Sequence, residues 1–212
     1  MIKICTVFFE GKYSPDYVSK FYDSLKRNTT VPFEFVCLSD TDVKADLVLP
    51  YNKHSNIKLH WHKLKFFSPQ FAYQKPGDEI IIMDIDQVIT NNIDDLINYP
   101  VKDNEFVSYH TWWPRNIKVN GGFYKFYPKE CKYIYDHFMK DIQWNTSYYI
   151  KNSLTTGPVN GEFMYVNDML KLRLQLKPLP DSWITRWTSD EYPEFRPMLK
   201  EKYTEITGNK YL

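Results

Sequence analysis

Ile80-Ile81-Ile82-Met83 runs without a break into Asp84-Ile85-Asp86. A short apolar run of this kind, opened by the turn residues Pro76-Gly77-Asp78, predicts a strand over Glu79 to Met83 that is buried on both faces. Strands buried on both faces belong to parallel or mixed sheets with helices on either side. The opening of the chain fits that architecture. Ile2 to Phe9 is rich in β-branched and aromatic residues and reads as a first strand, broken by Gly11 to Pro15. Asp16 to Lys26 places Tyr17, Val18, Phe21, Tyr22 and Leu25 at helical spacing, with Ser14 as its N-cap and Pro15 at its first position. Phe33 to Leu38 is a second strand and Asp46 to Leu49 a third. A strand-helix-strand opening makes a βαβ unit, so the fold class is α/β with a mostly parallel sheet.

Further along, Lys63 to Phe71 and Asn91 to Leu96 predict helices, and Glu105 to Tyr109 and Phe123 to Phe126 predict strands. Lys129 to Lys140 and Gly161 to Leu170 are helical, Lys177 to Pro180 is extended, and Asp181 to Trp187 is an aromatic-rich loop. No repeat, low-complexity tract or linker divides the 212 residues, so one domain is expected.

Composition narrows the partners. The formal net charge is +1 and like charges do not cluster, which argues against a broad grip on nucleic acid or an anionic membrane. No apolar run is long enough to span a bilayer. The start, Met1-Ile2-Lys3-Ile4-Cys5, enters a strand pattern directly and has no signal-peptide layout. The three cysteines, Cys5, Cys37 and Cys131, are odd in number and include no CxxC pair, so they read as reduced thiols, as in the cytoplasm.

Asp84 and Asp86 carry the sharpest chemical signal. Residues two apart on a strand face the same side, and two carboxylates on one side repel unless a cation lies between them. At the C-terminal edge of a parallel sheet that cation would sit in the ligand crevice. Oxygen ligands suit Mg²⁺ or Mn²⁺. The plainer reading is two solvated loop aspartates, but an apolar run leading into the pair places Asp84 near burial, where an unpaired charge is costly. Lys63, in His60-Trp61-His62-Lys63, either neutralises a bound diphosphate or is an exposed helix lysine. The His-x-His spacing has no second pair of zinc ligands nearby, so zinc is discounted.

Asn120-Gly121-Gly122 is either a tight turn or a place where a ligand approaches the backbone closely. Thr155 to Glu162 leads into a helix, where Glu162 serves the helix dipole or faces a site. Asp181 is a further carboxylate beside an aromatic, and Trp112, Trp113, Trp183 and Trp187 are rings that can stack on a sugar. There is no GxSxG, GxGxxG, P-loop or HExxH.

In order, Val36-Cys37-Leu38-Ser39-Asp40, Trp61-His62-Lys63-Leu64, Gly77 to Asp86 and Asn120-Gly121-Gly122-Phe123 resemble the GT-A glycosyltransferases that carry a DXD motif. The likeness is nearest to the N-terminal glycosyltransferase domain of a larger chlorovirus protein that builds the capsid glycan. It implies that this segment is part of a longer protein acting in the host cytoplasm. It also implies a nucleotide-diphosphate-sugar donor, UDP-linked, a hexose or deoxyhexose as the sugar, a glycan acceptor and Mn²⁺ or Mg²⁺. By position, Thr6, Val7, Phe8 and Asp40 would contact uridine, Asp84 and the adjoining Ile85 the ribose or an outer-shell water, and Asp86 the metal. Lys63 would approach the donor phosphates, and Asn120 and Gly121 the sugar and acceptor. The His-x-Gly segment that gives one retaining branch its third metal ligand is missing, which leaves Asp181 in that role. Overall similarity favours retention of configuration. An inverting course needs a carboxylate base, for which Glu162 is preferred over Asp181. The readings from other classes are a non-catalytic nucleotide-sugar-binding module and a metal-dependent phosphoryl-transfer enzyme.

Overall fold

A computed structural model describes residues 1–52, 54–75, 77–109, 118–153 and 160–184. The strands are β1 (Ile2–Phe8), β2 (Glu34–Ser39), β3 (Leu47–Pro50), β4 (Glu79–Met83), β5 (Glu105–Ser108), β6 (Phe123–Phe126) and β7 (Gln175–Pro178). They form one sheet in the order β3-β2-β1-β4-β6-β5-β7. The first four in that order are parallel, while β6 runs antiparallel to both β4 and β5. The chain leaves β1 towards β2 on one side and returns to β4 on the other. The sheet therefore has its switch point between β1 and β4, where open α/β sheets hold their ligands.

The isoleucine run explains the two-sided burial. Ile80 and Ile82 join one core and Ile81 and Met83 the other, as the two-residue alternation of a strand requires. On the second side lies α1 (Asp16–Asn28), which buries Val18, Phe21, Tyr22 and Leu25. Pro15, not Ser14, is its N-cap residue, and no side chain caps the helix, although Ser14 Oγ accepts from the Asp16 N–H at 3.2 Å. The other side is covered by α3 (Pro128–Lys140), α4 (Ile142–Lys151) and α5 (Glu162–Leu170); α2 (Asp94–Ile97) is a single turn.

The helix predicted over Lys63 to Phe71 is instead a 3₁₀ helix over Leu59–Phe67, entered through Leu59 at φ 43°. It buries Trp61, His62, Lys63, Leu64, Phe66 and Phe67, nearly every side of it rather than one stripe. Packed between sheet and α3, with Trp61 stacked 5.5 Å from Phe138 and Phe67 4.5 Å from Phe126, it lacks the amphipathic pattern of a surface helix. Helix α4 was not predicted, because its buried face is only Asn145 and Tyr149. All three cysteines are free and buried. Among the described residues no helix is long and apolar enough to cross a membrane.

Candidate active site

The C-terminal ends of β1 and β4 open into a crevice of about 310 Å³. Val7 lines it from β1 and Phe9 from just beyond that strand, Asp84, Ile85 and Asp86 from the exit of β4, and Lys63 and His60 from the 3₁₀ helix. Asn120, Gly121 and Gly122 approach it ahead of β6, and Glu162 and Phe163 from the start of α5. Eight of the residues predicted for the site thus meet in one cavity: Val7, Lys63, Asp84, Ile85, Asp86, Asn120, Gly121 and Glu162. The other four do not line it. Thr6 and Phe8 point into the sheet packing, Asp40 accepts from the Glu10 N–H at 3.0 Å, and Asp181 is exposed at the start of a 3₁₀ turn. Trp183 packs edge-on to Tyr99 at 5.6 Å and is not a lining residue either. Trp112, Trp113, Trp187 and the segment 154–159 lie outside the described residues.

Asp84 is less enclosed than the apolar run before it suggests: its side chain is 39% exposed. The strand ends at Met83, and the Asp84 N–H then donates to the Gly122 carbonyl at 3.2 Å. Lys63 is buried beneath it, with Nζ 2.5 Å from Asp84 Oδ1 and donating to the Gly121 carbonyl at 2.8 Å. Burial works against the lysine's charge, but Asp84, Glu162 and Asp86 outweigh it and raise its pKa above the usual value. Lys63 is therefore not an exposed helix lysine but a buried ammonium on the crevice wall, paired with Asp84 and the Gly121 carbonyl.

Asp86 lies at the open mouth, where the Tyr13 hydroxyl donates to its Oδ2 at 2.5 Å. The protein mass around it and the charge of Asp84 push its carboxyl up, while Tyr13, Lys12 and Lys63 pull it down less strongly. Two acids pressed together in this way hold a cation well. Asp84 meets Lys63 through Oδ1 and Asp86 meets Tyr13 through Oδ2, so among the described residues the other oxygen of each is the one offered to an ion. The donor set thus fits Mg²⁺ or Mn²⁺, with remaining positions left for phosphate oxygens and water. Among the described residues no three His, Cys, Asp or Glu side chains stand close enough together to hold one metal ion, so Asp181 does not complete a protein cage.

Glu162 is 2% exposed and accepts from the Tyr124 hydroxyl at 3.1 Å. Burial raises its pKa to about 7; Lys63 lowers it, Asp84 raises it and Tyr124 lowers it. It faces the crevice beside Gly121, where an added Cβ would lie 3.5 Å from its Oε2. Gly122 is tighter still: a Cβ there would meet the Tyr109 hydroxyl at 2.3 Å and Gln87 Nε2 at 2.8 Å. Asn120 spends its side-chain oxygen on the Gly122 N–H at 3.0 Å, and Gln87 Nε2 donates to the Gly122 carbonyl at 2.8 Å. Asn120-Gly121-Gly122 is thus both a tight turn and a wall of the crevice.

Sequence reasoning passed over Lys12, Tyr13, Phe9, Asn160 and Phe163, all of which line the crevice. Lys12 and Tyr13 lie in the segment read only as a strand break. The signal was the position itself, since the loop after the first strand of an α/β sheet overhangs the ligand crevice.

Solved glycosyltransferase structures share this fold. GlyE of Streptococcus pneumoniae TIGR4 superposes with a TM-score of 0.63 at 12% identity over 99% of this chain, and its apo form with 0.60 at 12% over 95%. The galactosyltransferase LgtC, in complex with donor and acceptor sugar analogues, gives a TM-score of 0.64 at 11% identity, covering 99% of this chain and 96% of its own. The chain spans about half the length of GlyE, 50% and 52% in the two structures. Its architecture is the GT-A fold, and at these identities the likeness concerns the fold alone. No family model and no curated protein matches the chain.

Proposed function

We propose that this chain is a metal-dependent glycosyltransferase that moves a sugar from a UDP-linked donor to a glycan acceptor. The observation that carries this reading is the meeting of the Asp84/Asp86 pair with buried Glu162 in one crevice at the β1/β4 switch point. Each part has a task in sugar transfer. Asp84 and Asp86 would hold Mn²⁺ or Mg²⁺, which when bound offsets charge on the diphosphate. Lys63 pairs with Asp84 Oδ1 from below, which fixes the carboxylate at the crevice wall. The glycine turn lets a sugar ring lie against backbone at Gly121.

Glu162 supplies the proton chemistry. Its pKa of about 7 suits a carboxylate that accepts the proton of an acceptor hydroxyl as the anomeric bond to diphosphate breaks. That is its role in an inverting course. In the retaining course favoured by the overall resemblance, its negative charge stabilises the oxocarbenium-like centre instead. The anomer of the product distinguishes the two.

A non-catalytic nucleotide-sugar-binding module is the second reading. It draws on one observation: both aspartates already meet a protein donor, Lys63 for Asp84 and Tyr13 for Asp86. The test is release of UDP from a panel of UDP-sugars with Mn²⁺ and a broad set of glycan acceptors. Transfer that disappears in Glu162→Gln supports the enzyme. Binding without turnover across the panel moves the assignment to the module.

A further inference from the structure

We propose that Lys12, not Lys63, is the lysine that grips the diphosphate of the donor, an assignment that rests on the sugar-transfer reading. The argument begins with charge. The crevice holds three carboxylates, Asp84, Asp86 and Glu162, and two lysines, Lys12 and Lys63. Lys63 is 4% exposed and already committed to Asp84 Oδ1 and the Gly121 carbonyl. Two of its three N–H donors are thus already spent inside the protein, which leaves it at most one for a phosphate oxygen. A divalent cation bound to Asp84 and Asp86 is offset by those two carboxylates. The donor diphosphate would bring two further negative charges, and it would take up a third as the bond to the anomeric carbon breaks and its electron pair stays on oxygen. One more cation at the mouth is needed, and Lys12 is placed to supply it.

The loop that carries Lys12 is held in shape. Gly11 adopts φ +103°, which an L side chain rarely does, and turns the chain back after β1. A bridge joins Glu10 to Tyr13, and the Glu10 N–H donates to Asp40 Oδ1 at 3.0 Å. Tyr13 then fastens the loop to the carboxylate pair through Asp86. Lys12 is exposed, and its Nζ lies 4.6 Å from the centroid of the Tyr13 ring. The ring holds the ammonium in the crevice that Lys12 shares with Asp84 and Asp86, and its N–H groups are the donors offered to phosphate oxygens.

The experiment compares the wild type with Lys12→Met, Lys12→Arg and Lys63→Met by calorimetry, using UDP and uridine as separate probes with Mn²⁺ present. Lys12→Met is expected to weaken UDP about 10- to 100-fold and to change uridine less than about twofold. Lys12→Arg should recover most of the loss. Mn²⁺ affinity without nucleotide should not fall in Lys12→Met, because the substitution removes positive charge from beside the ion. Equal losses for UDP and uridine, or a weaker Mn²⁺ site, would show that Lys12 only shapes the loop and overturn the assignment. UDP affinity unchanged in Lys12→Met, with the diphosphate-specific loss in Lys63→Met, overturns it as well. Failure of the functional reading looks different, since the wild type itself would then turn over no UDP-sugar, whether or not it binds UDP.

Discussion

Lys63 Nζ lies 2.5 Å from Asp84 Oδ1 and 2.8 Å from the carbonyl oxygen of Gly121, so one buried ammonium ties the strand exit to the glycine turn. The contact also determines the state of Glu162, since Lys63 is the strongest influence holding that carboxyl's pKa down. Asp84 is partly open to water, which softens the penalty for losing its partner, but Glu162 is not.

Lys63→Met should therefore destabilise the fold by about 2–3 kcal/mol at pH 8, towards the low end of what breaking a buried pair costs. At pH 5 the loss should be smaller, because Glu162 protonates and leaves one fewer uncompensated charge. Urea unfolding of both proteins at the two pH values measures this. An equal loss at pH 5 and pH 8 would mean that the cost is one of packing.

Glu162 gives a second pH dependence with a definite sign. Its carboxyl is raised from 4.5 to about 7 on folding, so the folded state holds a proton that the unfolded chain gives up. Stability from this group is complete below pH 4.5 and is lost as pH rises through about 7. A shift of this size corresponds to about 3 kcal/mol by linkage. Glu162→Gln should flatten the stability profile between those limits and make the protein more stable than wild type at pH 8. Denaturant melts in a metal chelator provide the comparison, and a profile as steep as that of wild type would remove Glu162 from the account.

Much of this was legible in the sequence, and the parts that were not share a physical cause. The isoleucine run announced a doubly buried strand, and the aspartates at its end were correctly read as reaching a crevice. The strand-helix-strand opening gave the parallel half of the sheet. Trp61 to Phe67 failed because a segment buried on nearly all sides has no apolar stripe, so period cannot distinguish a 3₁₀ plug from an α-helix. Lys63 was singled out, but its protein partners were not legible, since local sequence does not show that Gly121, 58 residues away, supplies one of its acceptors. Lys12 and Tyr13 were reachable only through their place after the first strand; that Tyr13 meets Asp86, 73 residues away, is seen only in the fold.

The two glycines beside Asn120 should respond differently. A Cβ on Gly122 would fall 2.3 Å from the Tyr109 hydroxyl, and the Gly122 carbonyl receives both the Asp84 N–H and Gln87. Gly122→Ala should cost about 1–3 kcal/mol as these groups shift, and should weaken Mn²⁺ binding by moving Asp84. A Cβ on Gly121 meets nothing nearer than Phe163 Cβ at 3.3 Å, so Gly121→Ala should cost less than about 1 kcal/mol. Its effect should fall on the sugar side, as a raised KM for the donor with near-normal stability. Thermal melts and donor kinetics on the pair would show this, and equal destabilisation by both would contradict it.

Asp86 and Tyr13 allow the metal site to be probed from both sides. Asp86→Asn removes the exposed carboxylate whose pKa is raised, so the fold should keep its stability within about 0.5 kcal/mol, as surface substitutions usually do. Affinity for a UDP-sugar in Mn²⁺ should drop by about 100-fold or more, since the proposed ion loses a direct ligand. Tyr13→Phe tests the competing donor. Its hydroxyl occupies Asp86 Oδ2 and helps hold that carboxyl ionised, so its removal has two opposed effects. At a pH high enough to ionise Asp86 in both proteins, Mn²⁺ should bind Tyr13→Phe a few-fold more tightly because no hydroxyl has to be displaced. As pH falls, the variant's Asp86 protonates earlier and the advantage should shrink and then reverse. Mn²⁺ titrations followed by electron paramagnetic resonance at several pH values, without nucleotide, read this directly. Identical Mn²⁺ affinities for Tyr13→Phe and wild type at every pH would place the ion away from Asp86.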